Sequence, residues 1–161
     1  MNHEKKELYT AKRTSDCDLE TNGIVEFWNG RVRSDADPAC WICLTVDAAK
    51  KVAIAGSGAG GLSELCASFS ETDIFFGGVR VSLAGGAGIK FVHFFVVGGE
   101  VGAMKKGKAS LLKNAIQGAL DGAHGSAEVS AEVSAGERRA ELARQIGALC
   151  GAGWSVGGEG A

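Results

Sequence analysis

The sequence predicts a single α/β domain of the α+β type, with a largely antiparallel central sheet flanked by helices on both faces. Three observations carry this. Asp73–Leu83 and Ile89–Val97 are apolar runs of strand length joined by the short glycine-rich stretch Ala84–Gly88, so they form a hairpin. Ile89–Val97 is apolar on both alternating faces except at Lys90 and His93, as in a strand covered from two sides. A long amphipathic stretch from Gly102 to Ala123 then precedes another strand-like run, Ser126–Val133. A strand that follows a long helix returns by a crossover, parallel to a neighbour.

Bulk properties narrow the class. The chain has 161 residues, 45% hydrophobic and 22% charged, which suits one soluble globular domain long enough to bury a core. A net charge of −2 speaks against a general nucleic-acid binder, which is ordinarily basic. No apolar run reaches the roughly 18 residues of a spanning helix, and the start MNHEKKELYTAKRTS lacks a signal-peptide core. The expectation is a cytoplasmic protein that engages neither nucleic acid nor membrane. Cys17, Cys40, Cys43, Cys66 and Cys150 are an odd set that a cytosolic setting keeps reduced. Cys40-Trp41-Ile42-Cys43 has the spacing of a redox pair, but in a strand positions three apart point to opposite faces. Buried structural thiols are expected.

Along the chain, residues 1–15 mix charges without periodicity and read as a flexible arm, and the folded domain spans 16–151. Leu19, Ile24, Phe27, Trp28 and Val32 share one face of a helix from about Asp18 to Arg33, with Asp16 or Asp18 available as its N-cap. Ser34–Pro38 is a turn. Ala39–Val46 and Lys51–Ala55 are strands around a hairpin turn at Asp47–Lys50, and Leu62, Leu65, Cys66 and Phe69 recur at helical spacing. The helix from Gly102 to Ala123 buries Leu112, Ala115, Ile116, Ala119 and Leu120 and leaves Lys106, Lys113, Gln117 and Asp121 wet. Ser134 and Glu137 have capping-box spacing ahead of a last helix, which carries Ala140, Leu142, Ala143, Ile146 and Leu149 and stops near Gly151. Residues 152–161 read as a flexible glycine-rich tail.

One motif competes for attention. An apolar strand, then Gly56-Ser57-Gly58-Ala59-Gly60-Gly61, then a helix is the local form of a dinucleotide-binding turn. Its surroundings argue otherwise. Asp73 stands at the beginning of the next strand instead of its end, and that strand enters a hairpin instead of a second crossover helix. A glycine-rich connection without a cofactor is expected; a small nucleotide-binding oxidoreductase is the alternative. His3, His93 and His124 are scattered, and His93 reads as a hydrogen-bonded core histidine. No His/Cys cluster has metal-ligand spacing and no nucleophile is singled out, so no metal and no enzyme are expected.

Val32-Arg33-Ser34-Asp35 followed by Trp41, then Val79-Arg80-Val81, a hairpin and Lys90-Phe91, stand at the spacing of V-R-D-D…W, V-R-F and K-F segments known together in one family. From Lys90 to Lys113 the register runs without a gap. Val96-Val97-Gly98 resembles that family's strand end and turn, and Ala103-Met104-Lys105-Lys106-Gly107-Lys108 resembles its G-L-Q-R-A-K helix start. Over about Val32–Ser130 the sequence thus resembles the actin-depolymerising-factor homology (ADF-H) family, and within it most the coactosins.

This resemblance implies the ADF-H (gelsolin-like) fold, with a mixed sheet of five or six strands. It also implies a monomeric, non-catalytic regulator of the actin cytoskeleton that binds filaments in preference to actin monomers. By the same resemblance the actin-binding residues are Lys90, at the start of the K-F strand, and Met104, Lys105, Lys106, Lys108 and Lys113, on the start and outer face of the long helix. A divergent domain of the family with another cytoskeletal or signalling partner is the alternative. The family's hairpin before the K-F strand is longer and basic, whereas Ala84–Gly88 carries no charge, which implies weaker filament binding. Lysines at a helix N-terminus oppose the macrodipole at about 0.3–1 kcal/mol each, a cost that an acidic partner offsets.

Overall fold

The computed structural model describes residues 23–34, 37–46 and 51–160. The N-terminal arm, Asp16, Cys17, Asp18, Leu19 and the Asp47–Lys50 turn lie outside the described residues. Helix α1 starts at Ile24–Phe27 and widens into a π-helical turn at Trp28–Val32, where the Arg33 N–H bonds the Trp28 carbonyl five residues back. Strands β1 (Trp41–Val46) and β2 (Val52–Gly58), helix α2 (Leu62–Cys66), and strands β3 (Ile74–Ser82) and β4 (Ile89–Val97) follow. Helix α3 (Ala103–Ala119) leads to β5 (Gly125–Val129) and then to helix α4 (Arg138–Cys150). The chain closes with a small hairpin of β6 (Ser155–Val156) and β7 (Glu159–Gly160).

The main sheet runs β2-β1-β3-β4-β5, antiparallel throughout except for the parallel β4–β5 pair. Helix α3 is therefore the crossover that the sequence predicts. This mixed sheet with helices on both faces is the architecture that the family resemblance implies. β6 extends the sheet beyond five or six strands by pairing Ser155 with Ser82 at the end of β3, and β7 pairs with β6.

Alternation along the strands divides the core into two layers. Trp41, Cys43, Phe75, Val79, Phe94 and Val96 face α2 and α4, whereas Ile42, Leu44, Ile74, Phe76 and Val97 face α1 and α3. Trp28 of α1 packs its six-membered ring against β3 at Gly78. A Cβ at Gly78 would stand 2.5 Å from the indole, so only glycine leaves room for it. The same indole N–H reaches the Asp121 carbonyl at 2.8 Å, tying α1 to the end of α3. Arg80, matched above only as part of a motif, clamps the segment after α1 by donating to the carbonyls of Val32, Ser34 and Asp37 at 2.6–2.9 Å.

Three readings need correction. The stretch from 152 is no free tail among the described residues: Trp154 and Val156 are 3% and 0% exposed and complete the α2–α4 layer. Two apolar side chains spaced by two are enough to bury a hairpin that the surrounding glycines disguise. Ala115 is exposed and Ala109 is buried, so the inward stripe of α3 runs through Ala109, Leu112, Ile116 and Leu120. Cys40 and Cys43 lie in the same core layer because β1 starts only at Trp41. The Cys40 thiol donates to the Gly60 carbonyl at 3.1 Å, and burial pushes the Cys43 thiol up to about 12. His93 is the hydrogen-bonded core histidine expected, its Nε2–H donating to the Leu120 carbonyl at 2.5 Å.

Candidate functional site

Helix α3 follows β4 through the turn at Gly98–Gly99 and packs its apolar stripe onto β3 and β4. Seventeen residues at about 1.5 Å each make it roughly 25 Å long. At about 100° per residue, Met104, Lys108, Leu111 and Ala115 fall within one narrow outer strip. Met104 is 77% and Leu111 is 80% exposed, the most exposed large apolar side chains among the described residues. Lys108, also exposed, stands between them and makes no ion pair among the described residues. Leu111 was not among the predicted site residues. Its signal was present in Leu111-Leu112, because two consecutive leucines on a helix diverge by about 100° and only one of them can face the core.

The other lysines divide. Lys105 leans toward the start of β3, where it meets Asp73 Oδ1 at 2.5 Å and donates to the Thr72 carbonyl at 3.1 Å. Lys113 is not on the wet face. It pairs with Glu128 of β5 and lies 5.0 Å from the centre of the Phe95 ring, with its side chain 24% exposed. Lys106 is exposed at the rim of an open groove of about 360 Å³ between α3 and β5, floored by Phe95 and Val97, with Glu128 and Glu132 on the opposite wall.

Lys90 belongs elsewhere. It opposes Val81 at the far end of the β3–β4 ladder from Val97, and so lies a helix length away from the start of α3. Its side chain falls on the α4 side of the sheet, where its ammonium donates to the Leu149 carbonyl at 3.2 Å. The structure thus brings Met104 and Lys108 together with Leu111, turns Lys106 to the β5 side of the helix, and leaves Lys90 as a separate position at the opposite end. The loop that feeds Lys90 is an uncharged turn, Ala84–Gly86 in a tight helical bend with Gly85 and Gly86 at φ 63° and 72°.

The glycine motif does not form a dinucleotide-binding turn. Gly56, Ser57 and Gly58 are residues of β2, with Gly58 paired to Trp41, so they form no strand-to-helix turn. The Glu64 carboxylate fills the space over the glycines: it accepts the Gly60 N–H and the Trp41 indole N–H, both at 2.9 Å, and a Cβ at Gly58 would collide with it. Glu159 occupies the start of α2 by accepting the Ser63 N–H at 2.9 Å and the Ser63 hydroxyl at 2.6 Å. Two of the chain's own carboxylates thus take the amide and the helix start that such a turn would offer to a pyrophosphate. No group of His, Cys, Asp or Glu among the described residues is arranged to hold a metal ion. No helix among the described residues is long and apolar enough to cross a membrane.

Residues 30–142 match the family described as cofilin/tropomyosin-type actin-binding proteins. The chain belongs to this family. Solved structures agree on the fold of this cofilin-type domain. Coactosin from Entamoeba histolytica is 20% identical, with 74% of this chain and 91% of that one covered and a TM-score of 0.58. Human coactosin-like protein is 16% identical over 80% of this chain and 98% of its own, with a TM-score of 0.64. Mouse coactosin, described as an actin filament binding protein, is 19% identical over 79% of this chain and 89% of its own, with a TM-score of 0.58. No curated protein sequence matches significantly. Coactosins recur among these structures, in line with the resemblance read from Lys90 to Lys113.

Proposed function

We propose that this cofilin-type domain binds actin filaments along their sides as a non-catalytic, coactosin-like regulator in the cytoplasm, with little sequestration of monomers and little severing. The observation that carries the reading is the outer strip of α3. A domain that leaves Met104 and Leu111 largely in water, beside a Lys108 with no ion pair among the described residues, keeps an amphipathic surface for a protein partner. Lys106 adds an exposed charge on the β5 flank of the same helix, and Lys105 and Lys113 contribute positive charge while held by Asp73 and Glu128. Lys90 is a second, separate contact, made at the other end of β4.

A second reading has specific support. The Ala84–Gly88 loop carries no charge, and the Lys90 ammonium is used by the Leu149 carbonyl. In this reading the same α3 surface serves another cytoskeletal or signalling protein. Co-sedimentation with actin filaments at low and moderate salt separates the two. The first reading expects pelleting at low salt that weakens as salt rises, because screened lysines contribute less. Absence from the pellet at low salt favours the second.

A further inference from the structure

The loop between α2 and β3 meets the lead-in to α3 at several points. Gly98 N–H donates to the Asp73 carbonyl at 3.0 Å and Glu100 N–H to the Glu71 carbonyl at 2.8 Å. The Glu71 carboxylate adds a side-chain bond, with Oε1 accepting the Gly99 N–H at 3.0 Å. The approach is close: a Cβ at Gly98 would lie 2.5 Å from the Glu71 carbonyl oxygen.

The second oxygen of Glu71 looks the other way. Oε2 lies 2.8 Å from Nη2 of Arg138, the first residue of α4. Arg138 is 3% exposed, the one buried charged side chain among the described residues. Its Nε has no acceptor there, and Nη2 meets Glu71 as a close charge without a well-aligned hydrogen bond. A buried guanidinium this poorly satisfied is costly to keep, and losing its carboxylate would leave the cation uncompensated. Arg138 is therefore held where it is by Glu71, and Glu71 is held between Arg138 and the Gly99 amide.

We propose that Glu71 and Arg138 are positioning residues: their bridge couples α4 to the Gly98–Glu100 turn and so sets the angle and register at which α3 presents Met104, Lys108 and Leu111. The consequence for a partner rests on the binding reading above; the coupling itself does not. Neither residue needs to touch a partner, since both act through the turn. The bridge lies at the α3 start, where the helix has its fewest apolar anchors: the first buried side chain of α3 is Ala109. Ahead of that point the helix start is held by the buried Val101, by Lys105 on Asp73 and Thr72, and by the turn itself.

The test compares Glu71→Gln, Arg138→Met and the double variant with the unaltered chain. Each single variant lowers the melting temperature, Glu71→Gln more, because it strands a buried cation. The double variant removes both charges and recovers most of that loss. If the bridge positions α3, the double variant still shows faster amide hydrogen exchange across residues 99–106 and several-fold weaker filament pelleting. Lys108→Ala weakens pelleting without changing exchange in that segment. Recovery of normal exchange at 99–106 together with the melting temperature would show that the pair is structural only and would overturn the proposal. If the unaltered chain does not pellet, the binding reading fails, and the exchange comparison alone decides the coupling.

Discussion

The Lys90 ammonium donates to the Leu149 carbonyl at 3.2 Å and thereby closes the last turn of α4 with a residue from the start of β4. A cation at a helix C-terminus satisfies an orphan carbonyl and complements the dipole. Lys90→Ala should therefore cost about 0.3–1 kcal/mol of stability, measured by urea denaturation, whatever happens to binding. Lys90→Arg should retain most of it. Filament pelleting that falls for Lys90→Ala by more than the stability loss accounts for marks a real contact at this position. Pelleting unchanged by Lys90→Ala removes Lys90 from the site.

Leu111 is nearly free of the rest of the fold. Leu111→Ser should leave stability within about 0.5 kcal/mol of the unaltered protein, as surface substitutions do. The neighbouring Leu112→Ser should be strongly destabilising, by about 2–5 kcal/mol for a buried leucine cut back to a small side chain. Denaturant midpoints of the pair check the inside–outside assignment of α3. Similar losses for both would contradict it.

Glu64 holds the Trp41 indole N–H and the Gly60 amide at once. Glu64→Ala leaves the donor of a buried tryptophan unsatisfied, at about 1–3 kcal/mol. It should not create nucleotide binding, because Glu159 still occupies the start of α2. Thermal shift of both forms with nicotinamide or flavin nucleotides checks this; a stabilised variant would favour the oxidoreductase reading.

At Glu128 the β5 edge of the sheet is capped by a side chain. Gln145 of α4 accepts the Glu128 N–H at 2.8 Å and donates to the Glu128 carbonyl at 2.7 Å, so its carboxamide stands in for a neighbouring strand beside β5. Gln145→Ala should expose that edge and produce concentration-dependent self-association in sedimentation velocity, with Gln145→Glu intermediate. A variant that stays monomeric at high concentration would contradict the guard.

Burial holds the His93 imidazole below its ordinary pKa of 6.5, outweighing the Leu120 carbonyl and Asp121, which raise it. The unfolded chain then binds more protons in this window than the folded one. Stability conferred by the neutral ring is present above about pH 6.5 and declines as pH falls below it. Denaturation at pH 7.5 and 5.5 should show the decline, and His93→Gln should flatten it. Carboxylates held low by partners, among them Glu141 at about 2 beside Arg144 and Gln145, lose their contribution only at lower pH.

Much of the fold was legible in the sequence because it rests on local patterns. The β3–β4 hairpin follows from two apolar runs around glycines, the parallel β5 from the intervening helix, and the α1 face from Ile24, Trp28 and Val32. Glu71, Glu64, Gln145 and Arg138 each act on backbone or charge far away in sequence, and nothing in their neighbourhoods marks them. The Leu149 carbonyl at Lys90 and the Glu128 carboxylate at Lys113 could not be foreseen, because a lysine's partner is invisible in its own element. Leu111 and Trp154 were legible in principle, the first from a leucine pair on a helix, the second from an apolar alternation among glycines.

The central claim is that the outer strip of α3 binds filaments. Co-sedimentation of Met104→Asp/Leu111→Asp beside the unaltered chain, at low salt and with melting temperatures matched, tests it most directly. The account expects the unaltered chain in the pellet and the variant in the supernatant with its fold intact. Equal pelleting of the two would contradict it.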